Sequence, residues 1–399
     1  MKPMELRRYE MKSYKTIFLF SFLALISLCL FAAAGSALIN LRSSGSSLAS
    51  DWLSEEDKAR LAEAIHLRRT AGEQLWPGWG TADIPILVYN QDWAFLVGLQ
   101  EPAQGWIKVP AGIQRGGPWK QVPNDSFASA PYYRQPLQKG GETPQSFTVQ
   151  VGSRWSASLQ TLDWMKVSLE RQVREDLPGF LQPVFPYPIF VSQLVKGDDQ
   201  YLTLVAHESF HAYQGMVAGE RLADSERSNQ MHGASYTRAI DPMQDDWQAE
   251  LDLLSQAVTN NSSTQAAELT RRFLEVRSER RERAGLPPEL VEYEQEREWL
   301  EGLARYAELE VWRLASTGKT APLAETAILE DFEAYSGFES RWSRELQQMK
   351  RMAGDKGDGR FYYTGAAQAY LLDRLVPDWK TRVFQEGVYL EDLLAAAVR

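Results

Sequence analysis

The stretch "LVAHESFHAYQG" at 204–215 sets two of the chain's four histidines, His207 and His211, four positions apart, with Glu208 beside the first. On an α-helix, residues four apart leave the same face one turn from each other. Two imidazoles so placed can clamp one zinc ion at about 2.0–2.1 Å per nitrogen. Glu208, one residue round the helix, then projects near the ion without binding it. From there it can take a proton from zinc-bound water and pass it to a leaving amine. With histidine this scarce, an accidental H-E-x-x-H is an event of well under about one in a hundred. The competing reading is a pair of satisfied helix histidines beside a surface glutamate.

A catalytic zinc needs a third protein ligand and one open position. The extended form H-E-x-x-H-x-x-G-x-x-H is not available, because Gln214 stands at its glycine and Val217 at its third histidine. His232, in "QMHGASYTR", reads as lying in a loop. The better candidate is Glu301 in "EREWLEGLARYAELEVW" (296–312). Trp299, Leu300, Leu303, Ala304 and Ala307 form the apolar side of a helix there, and Glu301 borders that stripe. Glu308, two turns on and on the same face, is the alternative ligand or a partner to one.

Three short pieces, "HESFH", "WLEGLARYAE" and "YYTG", resemble the signature segments of gluzincin metallopeptidases of the aminopeptidase-N type, within the thermolysin-like superfamily. The resemblance implies a zincin-like fold, one zinc ion, peptide or protein substrates, and Glu301 as third ligand. It further implies that Tyr362, three residues before Gly365, donates to the developing oxyanion, with Tyr363 the adjacent alternative. Here "WLEGLARY" is one residue shorter before the glutamate than the family segment. His211 and Glu301 are 90 positions apart, so a helical insertion at about 225–290 must loop out and return. No G-x-M-E-N segment is present, and aminopeptidase activity is therefore unsupported.

The elements that must position these residues change character along the chain. Residues 41–53 read as a Ser/Gly-rich linker, and "LSEEDKARLAEAIHLRRTAGEQL" as a helix with an acidic first turn and His66 on its surface. Within 54–200 the texture is mostly β: "DIPILVYN", "DWAFLVGL", "GWIKVP" and "QSFTVQVG" are short apolar runs broken by Gly and Pro. "PVFPYPIFVSQLVKGDDQ" (183–200) reads as one more strand, its part near 186–193 an edge on which an extended peptide would lie. From 201 to 399 nearly every segment has helical periodicity, with Gly219 a possible stop for the first. The expectation is an α+β protein with a β-containing N-terminal half and a mainly α-helical C-terminal half.

Before the linker, "TIFLFSFLALISLCLFAAAGSALI" (16–39) has no charge and follows a flank carrying Lys2, Arg7, Arg8, Lys12 and Lys15. Twenty or more apolar residues match the roughly 30 Å hydrocarbon core, and the basic flank keeps the N-terminus cytoplasmic. Residues 1–40 thus read as a cytoplasmic flank with one hydrophobic helix, a signal-anchor or a signal peptide. The body is then extracytoplasmic, membrane-attached or secreted. Cys29, the single cysteine, lies in that run, so no disulfide staples the body. A net charge of −10 makes nucleic acid a poor partner. The basic stretch "RRFLEVRSERRERAG" (271–285) interleaves Glu275, Glu279 and Glu282, the pattern of a solvated, ion-paired helix face. Two other functions would use the same residues: a non-catalytic binding protein on a peptidase-like fold, or a zinc amidase acting on cell-wall peptides.

Overall fold

The structure is a computed structural model that describes residues 35–36, 40, 49–144 and 149–399. Except for Gly35 and Ser36, the apolar run at 16–39 lies outside the described residues. Among those described, no helix is long and apolar enough to cross a membrane. The chain forms a mixed α+β protein in two compact units. One holds Leu162–Lys196 with the described residues before 49; the other holds Ala49–Thr161 with Gly197–Arg399.

The larger unit contains an eight-stranded sheet in the order β4-β3-β7-β8-β1-β2-β6-β5. Its strands are β1 Ile86–Tyr89, β2 Trp93–Val97, β3 Trp106–Lys108, β4 Gln114–Arg115, β5 Lys120–Gln121, β6 Tyr133–Pro136, β7 Val149–Val151 and β8 Arg154–Gln160. Each of the four apolar runs read as strands contains one, the fourth in its described part at Val149–Val151. β1 and β8 pair in parallel with Ile86 opposite Ala157, and every other pairing is antiparallel. Leu87, Val88, Phe95 and Leu96 are fully buried, so β1 and β2 read as apolar runs, whereas β8 alternates Ala157 and Leu159 with the buried serines Ser156 and Ser158.

Helix α1, Glu55–Leu67, starts on Ser54, whose side chain accepts the Asp57 N–H. Helices α2 (Leu162–Asp176) and α3 (Tyr187–Leu194) belong to the smaller unit. The second is where a strand was expected. Three prolines in 183–188 deny a strand its ladder donors, whereas proline is tolerated in a helix's first turn, where Pro188 sits. No strand edge for a peptide exists at 186–193.

The C-terminal half is helical: α4 Gly197–Ile240, α5 Gln244–Thr259, α6 Ser263–Arg283, α7 Pro288–Arg297, α8 Leu303–Ser316, α9 Phe338–Met349, α10 Gly359–Leu375 and α11 Leu390–Ala397. The region at 225–290 is indeed helical, formed by the end of α4, by α5 and by α6. At Ala218 (φ −147°, ψ 51°), one residue before Gly219, the backbone leaves the helical region, so α4 is two helical stretches joined at a kink. Gly215 and Gly219 are where α4 lies against the Trp155 ring of β8. A Cβ at Gly215 would sit 2.5 Å from that ring.

The basic stretch differs from its sequence reading. Arg277 and Arg280 are buried, and their partners are Glu250, Glu294, Glu298 and Glu391 on other elements. A pattern that fits an i, i+4 surface ladder equally fits a helix buried among acidic neighbours, and packing decides between them. Arg283–Glu279 and Arg271–Glu268 keep the expected exposed pairing along the helix.

Candidate metal centre

Helix α4 carries the motif on a stretch buried on both sides. Leu202, Val205, Ala206 and Phe210 face the core, with Phe210 edge-on to both Trp76 and Trp79 at 5.1 Å. Ser209 accepts the indole N–H of Trp79 at 3.2 Å. At the start of the helix, Asp198 pairs with Arg60 at 2.6 Å, and Asp199 accepts the backbone N–H groups of Glu333 and Tyr335. Carboxylates there complement the positive end of the helix dipole and fix the helix on both flanks.

On this fixed helix His207 and His211 turn toward each other, their Nε2 atoms 3.1 Å apart. Oε2 of Glu301 lies 3.7 Å from His207 Nε2 and 3.4 Å from His211 Nε2. Four-coordinate ligands at about 2.1 Å from an ion stand roughly 3.4 Å from one another. The three observed edges bracket that value, and a point roughly 2 Å from all three atoms exists. The group is buried and could hold a metal ion.

Glu301 reaches this position from a π turn, Glu298–Gly302, set between α7 and α8. Such one-turn widenings re-aim a side chain and recur at functional sites. Trp299 O and Leu300 O within it accept the side-chain amide of Gln214 at 2.9 and 3.2 Å. The amide oxygen of Gln214 in turn takes the His211 Nδ1 hydrogen at 2.9 Å. One side chain thus sets the tautomer of His211 and grips the backbone that carries Glu301. Glu308 plays a comparable part for His207: its Oε2 is 3.3 Å from Nδ1, in charge contact without a well-aligned hydrogen bond. Glu308 therefore sits against His207, and Glu301 is the carboxylate in the triangle that could hold an ion.

The second oxygen of Glu301 is held by Arg297 Nη2 at 2.6 Å, and Arg297 also binds Asp358 at 2.5 Å and Glu226 at 3.1 Å. Burial alone would raise the Glu301 pKa, but Arg297 and the imidazoles hold it well below the usual carboxylate range. Burial would likewise raise Glu308, which Arg305 and His207 keep down at about 2. For His207, desolvation works against protonation, yet Glu301 and Glu308 carry it up to about 10. The site therefore retains a proton where a cation would bind, as a pocket with surplus negative charge does.

Glu208 is buried beside this group, its pKa pushed up to about 7 by burial against the pull of the two imidazoles. Its Oε2 has no hydrogen-bond partner among the described residues. An orphaned buried carboxylate oxygen beside a ligand triangle fits a site built for a cation and its water. Tyr362 stacks on the His207 ring, centroids 6.0 Å apart and planes 8° from parallel, and burial and the nearby Glu301 carboxylate raise its pKa well above the ordinary value. Tyr363 instead faces Arg305 and a cavity lined by Trp342, Leu346 and Tyr370. His232 lies within α4 beyond the kink rather than in a loop, outside the ligand group. His66, on α1, meets the Ala321 carbonyl at 3.0 Å.

Sequence reasoning missed Arg297 and the positive role of Gln214. Both carry a signal in their spacing: Gln214 follows His211 by three residues and Arg297 precedes Glu301 by four, so each shares a helix face with its ligand. Compared with protein-family models, with curated proteins and with solved structures, the chain finds no match in any of the three.

Proposed function

We propose that the chain is an extracytoplasmic zinc-dependent metallopeptidase of zincin-like fold and gluzincin type. The observation that carries this reading is the triangle of His207, His211 and Glu301 atoms with the unpartnered Glu208 carboxylate beside it. Two imidazoles and one carboxylate are a donor set of catalytic zinc. Zinc bound there would supply Lewis acidity and a water acidified to near neutral pH.

The chain's own residues do the rest. Glu208, whose pKa lies at about 7, is suited to accept a proton and then return it to the leaving amine. Tyr362 borders the same ligands with a phenol that stays protonated, because burial and Glu301 raise its pKa well above the ordinary value. It would donate to the substrate oxygen that gains negative charge. Gln214 and Glu308 hold the imidazoles in orientation, and Arg297 does so for Glu301. The uncharged run at 16–39 with its basic flank supports attachment to the membrane with the body outside.

The test is elemental analysis paired with cleavage of peptide libraries, with muropeptides assayed alongside. Glu208→Gln should keep the metal and lose hydrolysis by about 10²–10⁴-fold, the usual share of a positioned acid–base group. Glu301→Ala should lose both metal and hydrolysis. Full activity in Glu208→Gln would overturn the assignment, and cleavage of muropeptides alone would move the substrate class to the cell wall.

A further inference from the structure

The smaller unit presents an apolar surface out of keeping with a water-exposed fold. Residues 177–195 contain no charge, and Phe180 is 77% exposed, Leu194 50% and Ile189 49%. Leu181, Val184 and Phe190 are exposed as well. Among the described residues of this unit only Leu162, Tyr187 and Val191 are buried hydrophobic side chains. In α3, Tyr187 and Val191 form the inward stripe, while Ile189, Phe190 and Leu194 point outward. Apolar side chains on the outward as well as the inward side of a helix, here beside exposed Ser192 and Gln193, mark a surface that has a partner.

We propose that this surface, Phe180–Leu194, is immersed in the interfacial layer of a lipid bilayer as a second membrane contact beside the N-terminal run. Continuity with that run identifies the partner. Asn40, the first residue after it, donates from Nδ2 to the Phe185 carbonyl at 2.9 Å. The chain therefore leaves its uncharged 24-residue segment at the middle of the patch. If the run crosses the bilayer, its end delivers the patch to the same lipid. The patch does not itself cross: α3 has eight residues, about 12 Å of helix at 1.5 Å per residue, against a core of roughly 30 Å. Four prolines at 178, 183, 186 and 188 break any longer helix. Flanking chemistry suits the headgroup level, with Arg174 over the Tyr187 ring at 4.3 Å and Arg171 over Trp164 at 5.0 Å.

The inference rests on the N-terminal run being an anchor, and the native Cys29 allows the two to be tested separately. The full chain is placed in phosphatidylcholine–phosphatidylglycerol vesicles with a nitroxide on a single cysteine. Positions are Cys29 itself and, in a Cys29→Ser background, Phe180→Cys, Ile189→Cys, Leu194→Cys and the exposed reference Thr264→Cys. Relaxation by oxygen, which concentrates in lipid, is compared with relaxation by a water-soluble nickel chelate. The three patch positions should show an oxygen-to-nickel ratio at least tenfold above Thr264. A lipid-like ratio at Cys29 with water-like ratios at the patch overturns the proposal and leaves the anchor standing. Water-like ratios at all positions overturn both. Patch labels reached by neither reagent would mean protein covers the surface, and that also overturns the proposal.

Discussion

His211 is useful to a metal only if its Nε2 carries a free lone pair, and that depends on what Nδ1 does. Gln214 takes the Nδ1 hydrogen and at the same time donates to two carbonyls of the π turn. Gln214→Leu keeps the volume but strips three contacts, leaving Nδ1 unpaired and the π turn without its side-chain tie to α4. The expected result is metal affinity lower by about 10–100-fold, the usual cost of losing a ligand's outer partner. A chelator-competition titration reads it, and affinity unchanged within twofold would show that the amide does not orient the imidazole. Gln214→Glu should fall between the two, since it keeps an acceptor for Nδ1 while losing the donor. At this scale the histidine pair and Glu208 were legible because helical spacing alone puts His207, Glu208 and His211 on one turn. The role of Gln214 was hidden because spacing shows which residues share a face but not what lies opposite them.

The position of Glu301, the proposed third ligand, depends on how two helices cross. Gly302 closes the π turn and Gly365 lies in α10, and the two meet almost backbone to backbone: a Cβ at Gly365 would sit 2.4 Å from Glu298 O and 2.7 Å from Gly302 Cα. That crossing sets Glu301, one residue before Gly302, against Tyr362, three residues before Gly365. Gly365→Ala cannot be absorbed by a flexible side chain, so α10 must back away. We expect a loss of about 1–3 kcal/mol in urea unfolding, the range for overpacking a dense core. Metal affinity should fall in parallel as Glu301 and Tyr362 shift. Ala at the open Gly117, where a Cβ meets nothing within 4 Å, is the matching control. If Gly365→Ala unfolded like the parent and bound metal equally, the crossing would not position the site. The two glycines were visible in "WLEG" and "YYTG", but their mutual contact was not, since 63 residues separate them. The segment at 183–200 was misread for the opposite reason. Its β-branched and aromatic content outweighed prolines that forbid a ladder, and apolar runs of that length do not distinguish strand from helix.

At the scale of the molecule, the helices around the π turn are joined by buried charge. Arg277 binds Glu298, Glu250 and Glu391, Arg280 binds Glu250 and Glu294, and Arg281 binds Glu294 and Glu391, so α5, α6, α7, the π turn and α11 share one network. Removing one member leaves its partners desolvated and repelling. Arg277→Met should therefore cost about 3–5 kcal/mol in urea unfolding, and a smaller loss than 1 kcal/mol would mean that water reaches the freed carboxylates. The same network makes stability depend on acid in a definite direction. Burial would raise Glu391, but Arg281 and Arg277 bring it down to about 2. In the unfolded chain a glutamate titrates near 4.3. A depressed folded value stabilises the fold above the unfolded value, and the benefit disappears as pH falls through the folded one. For Glu391 it is on the order of 3 kcal/mol, fully present above about pH 5 and lost toward pH 2. Glu63 and Asp199, raised by burial, work in the opposite sense, so total stability against pH does not isolate Glu391. The difference between the parent and Glu391→Gln does. Unfolding midpoints of the two should lie far apart at pH 6 and converge as the pH is lowered to 3. A gap that stayed constant or widened over that interval would show that the carboxylate is not held ionised by its arginines, and the network would then be a set of contacts without electrostatic consequence.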